Sequence, residues 1–370
     1  MVMAMAKKTF EGQVATVVGV GLIGGSLCYA LKREGLAVRG VSKRETLEKA
    51  ADRGAIDEGF EYSEVRESLK GAHFIFLCTP LQDIIKRLQD ILEWADKGSI
   101  VTDVGSTKER ICREAERVST GVIFIGGHPM TGSEKRGFEN ANPFLFYDAV
   151  YVLTPLARTP KRALKTLSRL LSSFGAKVMV IDPQLHDDIA ANVSHLPQLL
   201  AILLVNQLGK RKSDIYRSLA AGGFRDMTRI ASSDYTVWAD IISTNMGEIK
   251  KALVEFRDDI NYLIDNLDHS EYLDRLFRLA NSERKKIPRY SKGFIAPLVD
   301  IRVNVKDRPG ELARITGIIF YAGINIKDIE IVNIREGEGG ILRLGFVQKE
   351  DAEKASRALK IFGYEVQIVE

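Results

Sequence analysis

Short apolar runs alternate with charged, helically spaced segments through the first half of the chain. Gln13 to Gly19 is apolar and ends in glycine, Leu22 to Lys32 has the three-and-four spacing of an amphipathic helix, and Leu36 to Val41 reads as the next strand. Phe74 to Cys78, Ile100 to Asp103, Val122 to Ile125, Ala149 to Leu153 and Val178 to Ile181 repeat the strand pattern beside charged helical stretches. Strands alternating with helices pair in parallel, so residues 1–183 are expected to form an α/β domain with a Rossmann-like, doubly wound parallel sheet. From Gln184 to about Ser291 no strand pattern survives, and Leu, Ile, Ala, Asp and Arg recur at helical spacing, which predicts an all-helical domain over 184–291. The basic, Pro-containing Lys285-Lys286-Ile287-Pro288-Arg289-Tyr290 reads as a linker. Beyond it, Val299 to Val305, Glu311 to Tyr321, Asn325 to Ile334, Ile341 to Val347, Ala352 to Ile361 and Tyr364 to Val369 follow the order β-α-β-β-α-β. That order predicts a ferredoxin-like unit over 298–370, with a turn at Gly337-Glu338-Gly339-Gly340.

Composition narrows the classes of function. The 370 residues carry 53 basic and 49 acidic side chains, a net charge of +4, which leaves no electrostatic footprint for nucleic acid. No apolar run of 18 residues is evident, so no membrane partner is expected. Met1-Val2-Met3-Ala4-Met5-Ala6-Lys7-Lys8 is too short and interrupted for a secretory signal, and Cys28, Cys78 and Cys112 show neither paired nor metal-ligand spacing. A cytoplasmic protein without a metal is the expectation.

Val18-Gly19-Val20-Gly21-Leu22-Ile23-Gly24 places G-x-G-x-x-G between a strand and a helix. Gly19 permits the tight turn, Gly21 lets backbone approach a pyrophosphate, Gly24 allows close helix–strand packing, and Leu22 and Ile23 open a helix whose free N–H groups face the anion. An NAD site usually offers Asp or Glu to the ribose at the end of the second strand, whereas this chain has Ser42-Lys43-Arg44. A hydroxyl and two cations suit a 2′-phosphate, so NADP is favoured and NAD possible; a charge pair opening a helix is the alternative reading. Thr79 and Pro80, closing the strand at Cys78, should border the nicotinamide half.

Gly126-Gly127-His128-Pro129-Met130 follows an apolar run and offers an imidazole on a glycine-flanked turn at the carboxyl edge of a parallel sheet, where a catalytic base would sit. Thr102-Asp103-Val104-Gly105-Ser106-Thr107-Lys108 closes a neighbouring strand with Ser106. In the helical block, Arg225 and Arg229 lie four apart, one helical face, and two convergent guanidinium groups can fork onto a dianion. The Gly222-Gly223 pair before them suggests close backbone approach. His186-Asp187-Asp188 lacks metal-ligand spacing and reads as helix N-terminal carboxylates, and His73 and His269 as structural or exposed.

These segments, with Val193-Ser194-His195-Leu196-Pro197 and Ala221-Gly222-Gly223-Phe224-Arg225-Asp226-Met227-Thr228-Arg229, resemble the prephenate and arogenate dehydrogenase family in the form with a C-terminal ACT domain. The resemblance implies oxidative decarboxylation of a cyclohexadienol in tyrosine biosynthesis: hydride leaves for the nicotinamide, the hydroxyl proton is lost, and carbon dioxide departs as the ring becomes aromatic. By position it implies that His128 accepts a hydrogen bond from the ring hydroxyl with Ser106 on the same oxygen, that Arg229 binds a carboxylate with Arg225 nearby, and that Trp238 lines the pocket; His195, on a helix near the site, reads as a pocket member or as a satisfied core residue. Ser133 and Glu134 would form a mobile rim. Many family members place a second histidine where this chain has Gln198, whose amide can also accept from the ammonium of arogenate; the whole-chain match favours prephenate.

Asp307-Arg308-Pro309-Gly310-Glu311-Leu312 and Ala322-Gly323-Ile324-Asn325-Ile326 resemble ACT-domain signatures. The resemblance implies an amino-acid effector, tyrosine by end-product logic, bound near Pro309, Gly310, Glu311, Leu312, Asn325 and Ile326 between paired modules; a purely dimerising domain is the alternative. Relatives dimerise through the helical block, so a homodimer is expected. Two competing readings are a hydroxyacid dehydrogenase carrying an ACT module, which fits Ser106, His128 and Arg229 less well, and a non-catalytic nucleotide and amino-acid sensor.

Overall fold

The computed structural model describes residues 9–132, 135–287, 298–335 and 339–369, and the chain divides into two compact units, Met1–Arg275 and Leu276–Glu370. Ser133 and Glu134, Pro288 to Tyr290 of the expected linker, and Gly337 and Glu338 of the expected turn lie outside the described residues.

The first unit is built on an eight-stranded sheet of β1 (Val14–Val18), β2 (Ala37–Val41), β3 (Glu58–Phe60), β4 (Phe74–Leu77), β5 (Ile100–Asp103), β6 (Ile123–Pro129), β7 (Val150–Pro155) and β8 (Lys177–Val180), in the order β3-β2-β1-β4-β5-β6-β7-β8. The first six strands run parallel, and the order reverses between β1 and β4, which opens a crevice at the carboxyl edge. Both faces are covered, so the strands read as continuous apolar runs. Phe74, Phe76, Leu27 and Tyr151 share one core layer, whereas Ile75, Leu77, Leu88 and Phe124 share the other.

Two strand expectations are corrected. β3 is too short to show alternation. β7 pairs antiparallel with β6, and β8 follows β7 in parallel. A parallel return needs a crossover long enough to carry the chain back to the opposite edge. Residues 130–149 contain only the short Phe138–Asn140 turn among those described, so β7 enters from the edge at which β6 left.

After β8 the described chain of the first unit is helical, as expected: Pro183–Ala190, a π-helical turn at Ala191–His195, Leu196–Gly209, Gly222–Thr228, Tyr235–Thr244 and Met246–Asp265. Although no membrane-length apolar run was expected, Pro183–Gly209 is long and apolar enough to cross a bilayer by length and composition, with 28% of its most apolar window buried. That run also holds His186, Asp187 and His195, all buried, and hydrogen-bonded to groups outside it. A bilayer-spanning helix could not keep those bonds.

In the second unit β9 (Val299–Val305), β10 (Asp328–Arg335), β11 (Gly339–Phe346) and β12 (Val366–Val369) form an antiparallel sheet in the order β10-β11-β9-β12. The helices Glu311–Tyr321 and Lys349–Ile361 contribute Ile315, Ile319 and Leu359 to a core with Ile301, Val303, Leu342 and Leu344 of the sheet. This is the expected β-α-β-β-α-β unit, and its antiparallel sheet fits a small ACT-like domain. On β11 the buried Arg343 guanidinium donates to Asp300 at 3.1 Å, to Glu330 at 2.9 Å and to Asp328.

The glycine loop after β1 separates stability from ligand access. A Cβ on Gly24 would lie 1.9 Å from the Gly19 carbonyl, and Gly19 has φ +99°, while a Cβ on Gly21 meets nothing within 4 Å. Gly24→Ala should therefore lower stability by about 1–3 kcal/mol in urea unfolding, whereas Gly21→Ala should stay within about 0.5 kcal/mol of the parent.

Candidate active site

The crevice begins at that loop. The helix Leu22–Arg33 starts at Gly21 with no side chain capping it, so its first N–H groups are free to meet an anion. Beside them stands open space where a Cβ on Gly21 would project. Both features fit a dinucleotide pyrophosphate. At the end of β2, Ser42 is buried while Lys43 and Arg44 are exposed, and Arg44 pairs with Glu48 at 3.4 Å. Thr79 is buried after β4, and the exposed Pro80 starts the helix Leu81–Trp94.

A fully buried ion pair organises the next two strand ends. Lys108 and Asp103 have no solvent exposure; the Lys108 ammonium donates to the Asp103 carboxylate and, at 2.7 Å, to the Gly127 carbonyl. Asp103 also accepts from the N–H of Gly105 at 2.8 Å and of Gly127 at 3.0 Å. Every strong contact of the pair is thus paired in turn, as burial of two charges requires. Ser106 sits half-buried within this loop.

His128 is not on a turn, as its glycine flanks suggested. Gly126, Gly127 and His128 continue β6 and pair with Thr154, Leu153 and Val152 of β7. The glycines serve packing: a Cβ on Gly126 would lie 2.2 Å from the Thr154 hydroxyl, and one on Gly127 2.5 Å from the Asp103 carbonyl. Burial pushes the His128 imidazole well below its ordinary range, helped by His186, Lys108 and His195. It is held neutral, able to accept a proton from a substrate.

His186 and Asp187 were dismissed in the sequence, and the structure corrects that. His128 Nδ1 and His186 Nε2 are 2.8 Å apart, and His186 Nδ1 lies 2.7 Å from an Asp187 carboxylate oxygen. Asp187 accepts from the Lys108 N–H at 2.7 Å and the Glu109 N–H at 2.9 Å, capping the helix Glu109–Glu116 rather than its own; Asp182 caps that one. The only signal available was a His-Asp pair in the first turn of a helix. No cluster of metal ligands occurs among the described residues.

Other expected residues fall on the helices above the sheet. His195 is buried at the end of the π-helical turn, a conformation frequent at functional sites. Its ring packs edge-on against Trp238, with centroids 5.8 Å apart, and lies 3.3 Å from the Asn245 amide. Burial brings His195 down to about 4, against a raising influence of Asp187. Gln198 is buried and donates to the Ile230 carbonyl at 2.9 Å. Arg225 lies in the short helix Gly222–Thr228, but Arg229 begins the 3-10 turn Arg229–Ser232, so the two do not share one α-helical face. Both are exposed, and no atom lies within 4 Å of a Cβ on Gly222 or Gly223. Past Ser133 and Glu134, Arg136 donates to Asp234 at 2.9 Å. In the second unit Pro309, Gly310, Leu312 and Asn325 are exposed and Ile326 half-buried. Glu311 is buried, accepting from Arg308 at 2.6 Å and the Tyr364 hydroxyl at 2.7 Å.

The comparisons with known proteins agree with this arrangement. Residues 27–180 match the model of the prephenate dehydrogenase nucleotide-binding domain, and residues 182–281 that of the prephenate dehydrogenase dimerization domain. The prephenate dehydrogenase of Bacillus subtilis is 34% identical over 92% of this chain and 94% of its own. Two solved structures are similar over about three quarters of the chain. Synechocystis arogenate dehydrogenase has a TM-score of 0.68 at 34% identity, covering 74% of this chain and 99% of that one. Prephenate dehydrogenase from Aquifex aeolicus, solved with hydroxyphenyl propionate and NAD+, has a TM-score of 0.66 at 30% identity, covering 76% and 99%. With its glycine loop, buried strand-end ion pair and sheet-edge histidine in place, the chain belongs to the prephenate dehydrogenase family.

Proposed function

We propose that the protein catalyses NAD(P)-dependent oxidative decarboxylation of prephenate to 4-hydroxyphenylpyruvate, a step toward tyrosine. The observation that carries this reading is His128, an imidazole kept neutral by burial at the sheet edge that also presents the uncapped helix Leu22–Arg33. A bound nicotinamide supplies the acceptor for the hydride. His128 takes the ring hydroxyl proton as hydride leaves the carbon that bears this hydroxyl, and Ser106 holds the oxygen. The bond to the ring carboxylate then breaks, carbon dioxide departs, its electron pair aromatises the ring, and the proton returns from His128 to the phenolate oxygen. Arg229 and Arg225 orient the dianion, with His195, Trp238 and Gln198 around it and Ser133 and Glu134 at the rim.

Gln198 favours a second substrate, arogenate. One hydrogen of its Nε2 goes to the Ile230 carbonyl, and its Oε1 is an acceptor, which suits an ammonium. Purified protein assayed with prephenate and arogenate should show reduced-cofactor absorbance with at least one of them. His128→Ala should lose about 10²–10⁴-fold in kcat while keeping cofactor affinity; an unchanged kcat would remove His128 from the chemistry, and no turnover of the parent with either compound would overturn the assignment and support a sensor. Because the His128 value lies below 6.5, and a protonated ring cannot accept a proton, kcat should hold through neutrality and fall only on the acid side of pH 6.5.

NADP is the cofactor we favour, on Ser42, Lys43 and Arg44. The double variant Lys43→Ala, Arg44→Ala should raise KM for NADP by about tenfold or more and leave KM for NAD within about twofold. Equal effects on both would place these cations away from the ribose.

A homodimer through the helical block fits the exposed Leu203, Leu204, Val205, Ile215 and Leu219, since apolar side chains in such number mark an interface. The C-terminal unit would bind tyrosine near Pro309, Gly310, Glu311, Leu312, Asn325 and Ile326. Light scattering should give twice the chain mass. Tyrosine should change the turnover of the full chain, and an Asn325→Ala variant should respond less; identical responses would leave the unit a dimerising module.

A further inference from the structure

We infer that His186 and Asp187 form a proton relay behind His128, fixing which nitrogen of His128 accepts the substrate proton and receiving charge from it during the reaction. The inference rests on the proposed dehydrogenase reading and extends it to two residues that lie behind His128 in the hydrogen-bond chain.

Hydrogen-bond accounting sets the direction of the chain. Both Asp187 oxygens accept backbone N–H groups, one from Lys108 and one from Glu109, so Asp187 serves as an acceptor and His186 Nδ1 must donate to it. A neutral imidazole has one N–H, which leaves His186 Nε2 as a lone pair. That lone pair faces His128 Nδ1 at 2.8 Å and must be met by a hydrogen on Nδ1. His128 is thereby held in the Nδ1–H form, with Nε2 as its only acceptor. Without His186 the ring would be free to adopt the other tautomer, in which Nε2 donates and cannot take a proton.

The same geometry handles the charge. When the substrate O–H bond breaks and its proton joins His128 Nε2, the Nδ1 proton can pass 2.8 Å to His186 Nε2. The positive charge then lies beside the Asp187 carboxylate instead of beside Lys108. The reverse transfers restore the neutral pair as the phenolate recovers its proton, so no proton is consumed and no further reactant is needed. Asp187, 2.7 Å from His186 Nδ1, attracts charge placed on His186, whereas Lys108, itself bound to Asp103, and His195 disfavour charge left on His128.

His186 and Asp187 are therefore positioning residues, and His186→Gln is the test. Glutamine can still accept from His128 Nδ1 but cannot carry the proton onward. With wild-type turnover as the control, kcat should fall at least tenfold while KM for the cyclohexadienol changes less than about threefold, and the acid limb of kcat should move to lower pH because the transferred charge no longer reaches Asp187. A kcat within twofold of wild type, or a loss with the limb unmoved, overturns the relay. An inactive wild type would instead overturn the dehydrogenase reading. A second measurement is independent of any variant: ¹⁵N shifts of the histidine rings in the wild-type protein at neutral pH should show His128 protonated at Nδ1 and His186 at Nδ1. A hydrogen on His128 Nε2 overturns the proposal even if His186→Gln fails to fold.

Discussion

A lysine and an aspartate with no contact with water set the position of everything at the carboxyl edge of this sheet. Burying two charges is tolerable only where geometry and further hydrogen bonds repay the lost hydration. Here Lys108 and Asp103 meet that condition by taking the backbone of Gly127 between them, one binding its carbonyl and the other its N–H. The end of β5 is thus fastened to the last stretch of β6, one residue before His128. The demand runs outward: Gly105, Gly126 and Gly127 have no side chains because the pair, Thr154 and the Asp103 backbone occupy that space.

The Lys108 main chain extends the arrangement in a second direction. Its N–H and that of Glu109 end on Asp187, so the residue that pins β6 also pins the first helix beyond the sheet. Asn245 adds a bond to the Asp187 carbonyl at 2.8 Å and reaches His195. Sheet, helical block and the histidines between them form one hydrogen-bonded body, in which the imidazole of His128 is dry enough to stay neutral.

Much of this was legible in the chain. Periodicity gave β1, β2, β4, β5 and β6 and both helices of the C-terminal unit, because elements buried on both faces, or on one clean stripe, leave regular apolar patterns. The glycine loop was readable since each glycine answers a steric demand visible in its spacing. The direction of β7 was not, for it depends on what the described residues of 130–149 lack, a crossover helix, and absence has no periodicity. His186 was invisible for a different reason. Its role comes from a contact across 58 positions, and next to Asp187 and Asp188 it looked like ordinary helix-start chemistry. Gly126 and Gly127 misled in the opposite sense, suggesting a turn when they mark tight packing inside a strand.

The reversal of β7 and β8 also decides how the chain arrives at His128. Because β8 runs against the parallel strands and ends level with Gly127, the helix Pro183–Ala190 that follows brings His186 to His128 on β6. A helix turns about 100° with each residue, so the meeting of the two rings depends on a count: the number of residues between the end of β8 and His186. Length in that connection acts as angular phase, and a single inserted residue would carry His186 round the helix and away from its partner without altering any residue of the site.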